Sequence, residues 1–393
     1  MVRPTVARVD LAALKSNYRR IVEYLTEEGS PEGVGLQRSA KASAERRTPG
    51  LIAVVKANAY GHGAAQVALA LEDAGADLLA CADIEEGAAL RAAGVRADIL
   101  VFGALSVSDL DGVFDCHLTP TISTPGAARA VQAATARHHQ RQRYHLKIDT
   151  GMNRLGFRYD NLQRTLPEVF ASPNLHLEAV YTHFATADDP ESPLFNDQRV
   201  RFARAIDYVF ADSRWGRTTD RPYRHAANSA ALLRDSRVWY DRVRPGLLLY
   251  GLVPPPLAST LSLTPVITLG SRIVAVKGVR PGEGVGYGMK FTAETPTQIA
   301  IVPAGYADGL DLRLAGRGAV LIRGRRAPIV GSVCMDMLMA DVTGLDVSPG
   351  DEVVIIGPQG GDRIDVREMA AQIGTIPYEI LCRIGSRIER LYE

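Results

Sequence analysis

Five apolar residues run into a lysine in Leu51-Ile-Ala-Val-Val-Lys56-Ala-Asn-Ala-Tyr60-Gly61-His62-Gly63, and the lysine opens on a glycine-containing loop. A short apolar run met at once by turn residues predicts a strand buried on both faces, with Lys56 at its carboxyl end. Such a lysine either snorkels to the strand's edge or sits desolvated, where its amine becomes a nucleophile towards aldehydes. A second lysine, Lys147, falls inside the strand pattern of Leu146-Lys147-Ile-Asp149-Thr-Gly-Met-Asn-Arg154-Leu-Gly-Phe, where burial costs desolvation. Ala226-Ala-Asn228-Ser229 and Arg244-Pro-Gly246-Leu247 each follow an apolar run. A hydroxyl and backbone N–H groups are what a phosphate needs, although Asn, Ser and Gly serve ordinary turns equally well. Gly284-Val-Gly-Tyr287-Gly reads as a hairpin tip, while Ala304-Gly-Tyr306-Ala-Asp-Gly309 and Val333-Cys-Met335-Asp336 read as turn and strand.

Val-Val-Lys56-Ala-Asn-Ala-Tyr60-Gly-His-Gly resembles the cofactor-lysine motif of alanine racemases, pyridoxal-phosphate enzymes with a barrel-type fold. The other motifs are similar to parts of that family and fall in its order. The resemblance implies that Lys56 carries pyridoxal 5'-phosphate as a Schiff base. It assigns Tyr60, Asn228, Ser229, Gly246, Leu247 and Tyr378 to the cofactor phosphate. It places Arg244 against the pyridine nitrogen, oriented by His183 in Tyr181-Thr-His183-Phe. An arginine donates to that nitrogen without readily protonating it, so the ring is a weaker electron sink, which suits a racemase better than a transaminase. In many family members the lysine matching Lys147 is carbamylated, an anion that can pair with Arg154. Arg154 would then contact the substrate carboxylate and the catalytic tyrosine. The resemblance also implies that Tyr287 is the second catalytic base, that Tyr306 shapes the substrate entrance, and that the Met335 amide binds the substrate carboxylate. Tyrosine is a poor base at its ordinary pKa of roughly 10 and needs a nearby cation, for which Arg154 is the candidate.

Elements able to position these residues alternate along the chain. Apolar strands are expected at 51–56, 77–83, 98–103, 117–122, 144–149, 175–184, 223–227 and 240–244, with helical patterns at 10–27, 64–74, 84–93, 126–139, 162–171 and 196–211. Eight strands alternating with helices predict an α/β fold of the parallel (β/α)8 type, an open doubly wound sheet being the other arrangement with this periodicity. In a barrel the site lies at the carboxyl ends of the strands, with phosphate after strands seven and eight, where the Asn228 and Gly246 motifs fall. The run Pro254-Pro-Pro marks a boundary, giving a barrel over 1–255 and a mostly antiparallel β-domain over 256–393. Strands are expected there at 266–276, 298–302, 319–322, 329–342 and 352–356, with a helix at 366–373. The resemblance adds that the strand before residue 10 joins the β-domain. The polar stretch 29–50 is expected to be a surface loop dispensable for chemistry.

The 393 residues suffice for one large or two ordinary domains, and 46% hydrophobic with 23% charged residues is ordinary for a soluble protein. A net charge of +1 implies neither a nucleic-acid nor a membrane partner. The first residues lack the apolar core of a signal peptide, no run reaches membrane-span length, and Cys81, Cys116, Cys334 and Cys382 lack metal spacing. A reduced, cytoplasmic protein without a bound metal is expected. The reading is an alanine racemase that interconverts L- and D-alanine by two-base proton transfer, supplies D-alanine for peptidoglycan, and works as a homodimer with shared active sites. The alternatives are a serine or broad-specificity racemase of the same fold, a non-catalytic pyridoxal-phosphate-binding barrel, and a decarboxylase of basic amino acids, which the Arg244 position disfavours.

Overall fold

A computed structural model of the chain describes residues 3–29, 48–103, 105, 110–212, 221–257 and 259–393. The expectation for the loop at 29–50 falls largely outside them. The chain forms two units: residues 14–56 with 67–264, and residues 1–13 with 57–66 and 265–393. The cofactor-lysine motif is cut between Lys56 and Ala57.

The first unit is the expected parallel barrel. Its strands run in the order Gly50–Leu51 with Ala53–Val54, Leu78–Cys81, Asp98–Val101, Thr119–Ile122, Gln142–Asp149, Leu175–Tyr181, Tyr223–Asn228 and Arg242–Arg244. Gly50–Leu51 pairs with the last strand and Ala53–Val54 with the second, so the sheet closes on its first strand. Ile52 and Ala53 are fully buried, as strands covered on both faces require. Helices return the chain between strands, several with side-chain caps. Asp83 accepts from Glu86 N at 2.8 Å, and Thr124 from Ala127 N at 3.1 Å ahead of Pro125.

In the second unit the sheet order is Ala275–Val279, Thr297–Val302, Leu338–Asp341, Arg325–Val330, Ala319–Ile322, Glu352–Gln359, Ile267–Arg272, Val6–Val9 and Glu389–Tyr392. Every neighbouring pair is antiparallel except the last. Val6–Val9 pairs with Ile267–Arg272, so the amino-terminal strand belongs to this sheet. Val279, Val285, Ala293, Ile299, Val330 and Met339 form one apolar core. Two expected strands are divided. The first is broken at Ile273 and Val274 between Arg272 and Ala275. The second, 329–342, is interrupted by residues 331–337. Gly331 turns the chain at φ +69, and a Cβ there would lie 2.5 Å from the Val285 carbonyl oxygen, so only glycine passes. No helix among the described residues is long and apolar enough to cross a membrane, and none of their His, Cys, Asp and Glu side chains form a metal-binding group.

Candidate active site

At the end of the first barrel strand Val55 N donates to Ala80 O at 2.9 Å, and Lys56 follows, half-buried. The chain then does something no alanine-rich sequence announces. Ala57, Asn58, Ala59 and Tyr60 all have φ between +52 and +54, a left-handed turn. Each such residue costs roughly 1–2 kcal/mol, so the surroundings must impose it. His62 Nδ1 lies 2.9 Å from Ala59 O and 3.0 Å from Tyr60 O. Both partners are carbonyls, so Nδ1 carries a proton and donates.

Arg244 ends the last barrel strand and is 3% exposed. Nη2 donates to Thr182 O at 2.8 Å and Ala226 O at 2.9 Å, and lies 3.3 Å from His183 Nδ1. Nη1 donates to His225 Nδ1 at 2.8 Å. Burial lowers this guanidinium to about 10, which leaves it a cation at neutral pH. His183, two residues past its strand, is pushed well below the ordinary imidazole range by burial and then by Arg244, Lys147, Arg154 and Lys56. It is a neutral acceptor for Arg244.

Lys147 is 6% exposed within strand five, and Arg154 lies exposed in the loop beyond. Burial, then the charges of Arg154 and Arg244, push Lys147 down to about 8, with Asp149 opposing. The Tyr181 ring faces both cations, 5.5 Å from Lys147 Nζ and 5.3 Å from Arg244 Cζ. Burial pushes the Tyr181 phenol up to about 12, so it stays neutral. After strand seven, Asn228 Oδ1 accepts from Ala231 N at 2.9 Å and caps Ser229–Arg234. The buried Ser229 Oγ accepts from Gly246 N at 2.9 Å, tying that turn to Arg244-Pro-Gly246-Leu247.

The second unit gathers the remaining residues in two places. Tyr60 and Tyr378 have ring centroids 6.0 Å apart. Tyr287, Tyr306 and Met335 share a loop cluster. Ser332 Oγ donates to Tyr287 O at 2.7 Å, Tyr306 N to Cys334 O at 3.0 Å, and Ala307 N to Met335 O at 3.0 Å. Tyr287 stands 78% exposed, with Met335 at 52% and Tyr306 at 43%. Sequence reasoning missed His225, His145, Glu178 and Tyr181 around Arg244, and His62 and Arg390 around the left-handed turn. Two histidines on expected strands five and seven were the available signal for the first group; nothing local marked the second.

The models of the alanine racemase N-terminal and C-terminal domains match residues 37–254 and 266–392. Alanine racemases of Carboxydothermus hydrogenoformans and Symbiobacterium thermophilum are each 41% identical to the chain, which they cover completely, with 100% and 97% of their own length aligned. The alanine racemase structures from Streptomyces lavendulae, a D-cycloserine producer, and from Bacillus anthracis, with bound L-Ala-P, each cover 100% of the chain at 33% identity. They align over 98% and 96% of their own chains, with TM-scores of 0.88 and 0.87. With both domain models matched and the whole length aligned, the chain belongs to the alanine racemase family.

Proposed function

We propose that the chain is an isomerase that interconverts L- and D-alanine with pyridoxal 5'-phosphate. The observation that carries this reading is similarity over the full length, barrel and β-domain together, to alanine racemases. A non-catalytic barrel protein would lack the second half.

The residues present fit the cofactor. Arg244 is a buried cation, and its Nε has no hydrogen-bond partner among the described residues, which leaves a donor for a ring nitrogen. The Ser229 hydroxyl, held by the Gly246 N–H at 2.9 Å, and the Leu247 N–H, with Asn228, Tyr60 and Tyr378, supply the donor types a phosphate takes. Lys56 supplies the amine. When bound, the cofactor withdraws electrons from the substrate's α-carbon and so acidifies its C–H bond.

The chain's own residues then divide the work. Lys56 Nζ handles the proton on one face of the substrate and Tyr287 Oη on the other, because one fixed side chain reaches only one face. One C–H bond breaks and one forms, with no net change in atoms or electrons. Arg154 and the Met335 amide hold the substrate carboxylate, and Tyr306 narrows the entrance. Lys147, as its carbamate, pairs with Arg154. His183 orients Arg244, which donates to the ring nitrogen without protonating it. The enzyme works as a cytoplasmic homodimer in which each site takes Lys56 from one chain and Tyr287 from its partner, and its D-alanine feeds peptidoglycan.

A chiral assay of purified protein, with and without added cofactor and across several amino acids, tests the reading. Alanine should be racemised fastest, and borohydride should fix the cofactor on Lys56. No racemisation of alanine by fully loaded protein, or label on another lysine, defeats it. Faster turnover of serine would move the chain to a different racemase of the same fold.

A further inference from the structure

Arg244 is buried, yet among the described residues no carboxylate lies within ion-pairing distance of it. Its hydrogen bonds continue into a buried chain of side chains. His225 Nε2 lies 3.1 Å from His145 Nδ1. His145 Nε2 lies 2.9 Å from Tyr223 Oη and 3.4 Å from Glu178 Oε2. Both imidazoles are fully buried, and the Glu178 side chain is 21% exposed. Glu178 Oε1 accepts from Arg143 at 2.9 Å, and Arg143 also holds Asp98.

The direction of every proton along this chain follows from its ends. Arginine only donates, so His225 Nδ1 must accept and its proton sits on Nε2. His145 Nδ1 must then accept, and its proton also sits on Nε2, facing Tyr223 and Glu178. Burial lowers both imidazoles below their ordinary range, so neither is a cation. Glu178 is held below its ordinary range by His145 and Arg143 against the opposing effect of burial, so it is a carboxylate.

We propose that Glu178 is a positioning residue for Arg244, acting through His145 and His225: with Arg244 donating at one end, its charge at the other end favours both imidazoles as Nε2–H tautomers with their lone pairs turned towards the guanidinium. A buried cation is thereby held by a carboxylate two imidazoles away. A carboxylate in direct contact would compete for the donor that the ring nitrogen needs. The role rests on the reading above that Arg244 faces the cofactor's ring nitrogen.

The test is 15N NMR of histidine-labelled holoenzyme, with signals assigned by their loss in His145→Gln and His225→Gln. Both residues should show a protonated Nε2 and an unprotonated Nδ1 in the wild type. In Glu178→Gln the side-chain amide can donate to His145 Nε2, against the direction Arg244 sets, so the tautomers should mix. The visible absorption maximum of the bound cofactor should shift, and kcat should fall about tenfold at little-changed KM, by analogy with the loss of partners that orient metal ligands. Glu178→Asp should recover much of the loss, and Tyr223→Phe should leave the tautomers as they were. A proton on Nδ1 of either imidazole in the wild type overturns the proposal even if Glu178→Gln does not fold. So does a folded Glu178→Gln with wild-type tautomers, absorption and kcat. The tautomers are read without turnover, so a wild type that fails to racemise alanine counts against the proposed function and not against the relay.

Discussion

Arg390, on the carboxyl-terminal strand, donates to the Gly61 carbonyl from both Nε at 3.2 Å and Nη2 at 3.1 Å. The same guanidinium reaches Ile384 O and Gly385 O at 2.6 Å and Ile388 O at 2.7 Å. One side chain thus ties the Glu389–Tyr392 strand to the left-handed turn that follows Lys56. Hydrogen bonds from a charged donor are worth about 1.5–3 kcal/mol each when the partner is left unpaired, although shared bonds do not add. Arg390→Met should destabilise the fold by about 2–4 kcal/mol in urea unfolding and speed loss of the cofactor. Gly61→Ala should do more damage, because its Cβ would stand 2.1 Å from Leu381 O at φ +82. Wild-type stability and cofactor retention in Arg390→Met would mean the turn is held elsewhere.

His62 makes that turn sensitive to acid. It is fully buried, and burial lowers its imidazole from 6.5 to about 4. The unfolded chain therefore takes up the proton first as pH falls. Stability is complete above about 6.5 and is lost progressively down to about 4, on the order of 3 kcal/mol at about 1.4 per tenfold change in proton affinity. The check is the difference in unfolding free energy between wild type and His62→Gln, which cannot titrate, measured against pH. The difference should shrink between pH 6.5 and 4; a flat difference refutes the account.

The sequence carried the barrel because both-face burial writes each strand as an apolar run, and Lys147 stood out as a charge inside one. The left-handed turn was not legible. Ala57-Asn-Ala-Tyr60 contains no glycine, and the groups that clamp it lie at positions such as Leu381 and Arg390, more than 300 residues on. The histidine relay was equally hidden. His145, Glu178 and His225 sit on three strands, and they meet only because the parallel register sets His145 beside Ala179 and His225 beside Tyr181. Register between strands far apart in sequence depends on the whole sheet. The interruption at 331–337, which presents Met335, needed knowledge that Val285 crowds Gly331.

Lys147 should be carbamylated in a pH-dependent way. Only the neutral amine attacks CO2, giving R–NH–COO− and a released proton. With Lys147 pushed down to about 8, a useful fraction of amine exists near neutral pH, where an ordinary lysine at 10.5 would offer almost none. Labelled bicarbonate should give a carbamate carbon signal that is strong at about pH 8 and fades below about 7, and that is absent in Lys147→Ala. Were Lys147 unmodified, the fold would gain stability as pH rises from about 8 to 10.5, because the unfolded chain would keep a proton the folded one had lost. Absence of the carbamate signal together with that gain would refute the modification.

Tyr287 at 78% exposure stands with Met289 at 70% and Met335 at 52%, an amount of open apolar surface that a second copy of the chain would cover. If each site takes Lys56 from one subunit and Tyr287 from its partner, Lys56→Ala and Tyr287→Phe homodimers should both be nearly inactive. Mixed under subunit exchange, they form heterodimers in which one site bears both substitutions and the other bears neither. With equal random pairing half the dimers are mixed and half of their sites are intact, so activity should return to roughly a quarter of wild type. Were both residues drawn from one chain, every site would lack one of them and nothing would return. Exchange verified by mass spectrometry, with no recovery of racemisation, would therefore rule out the shared site.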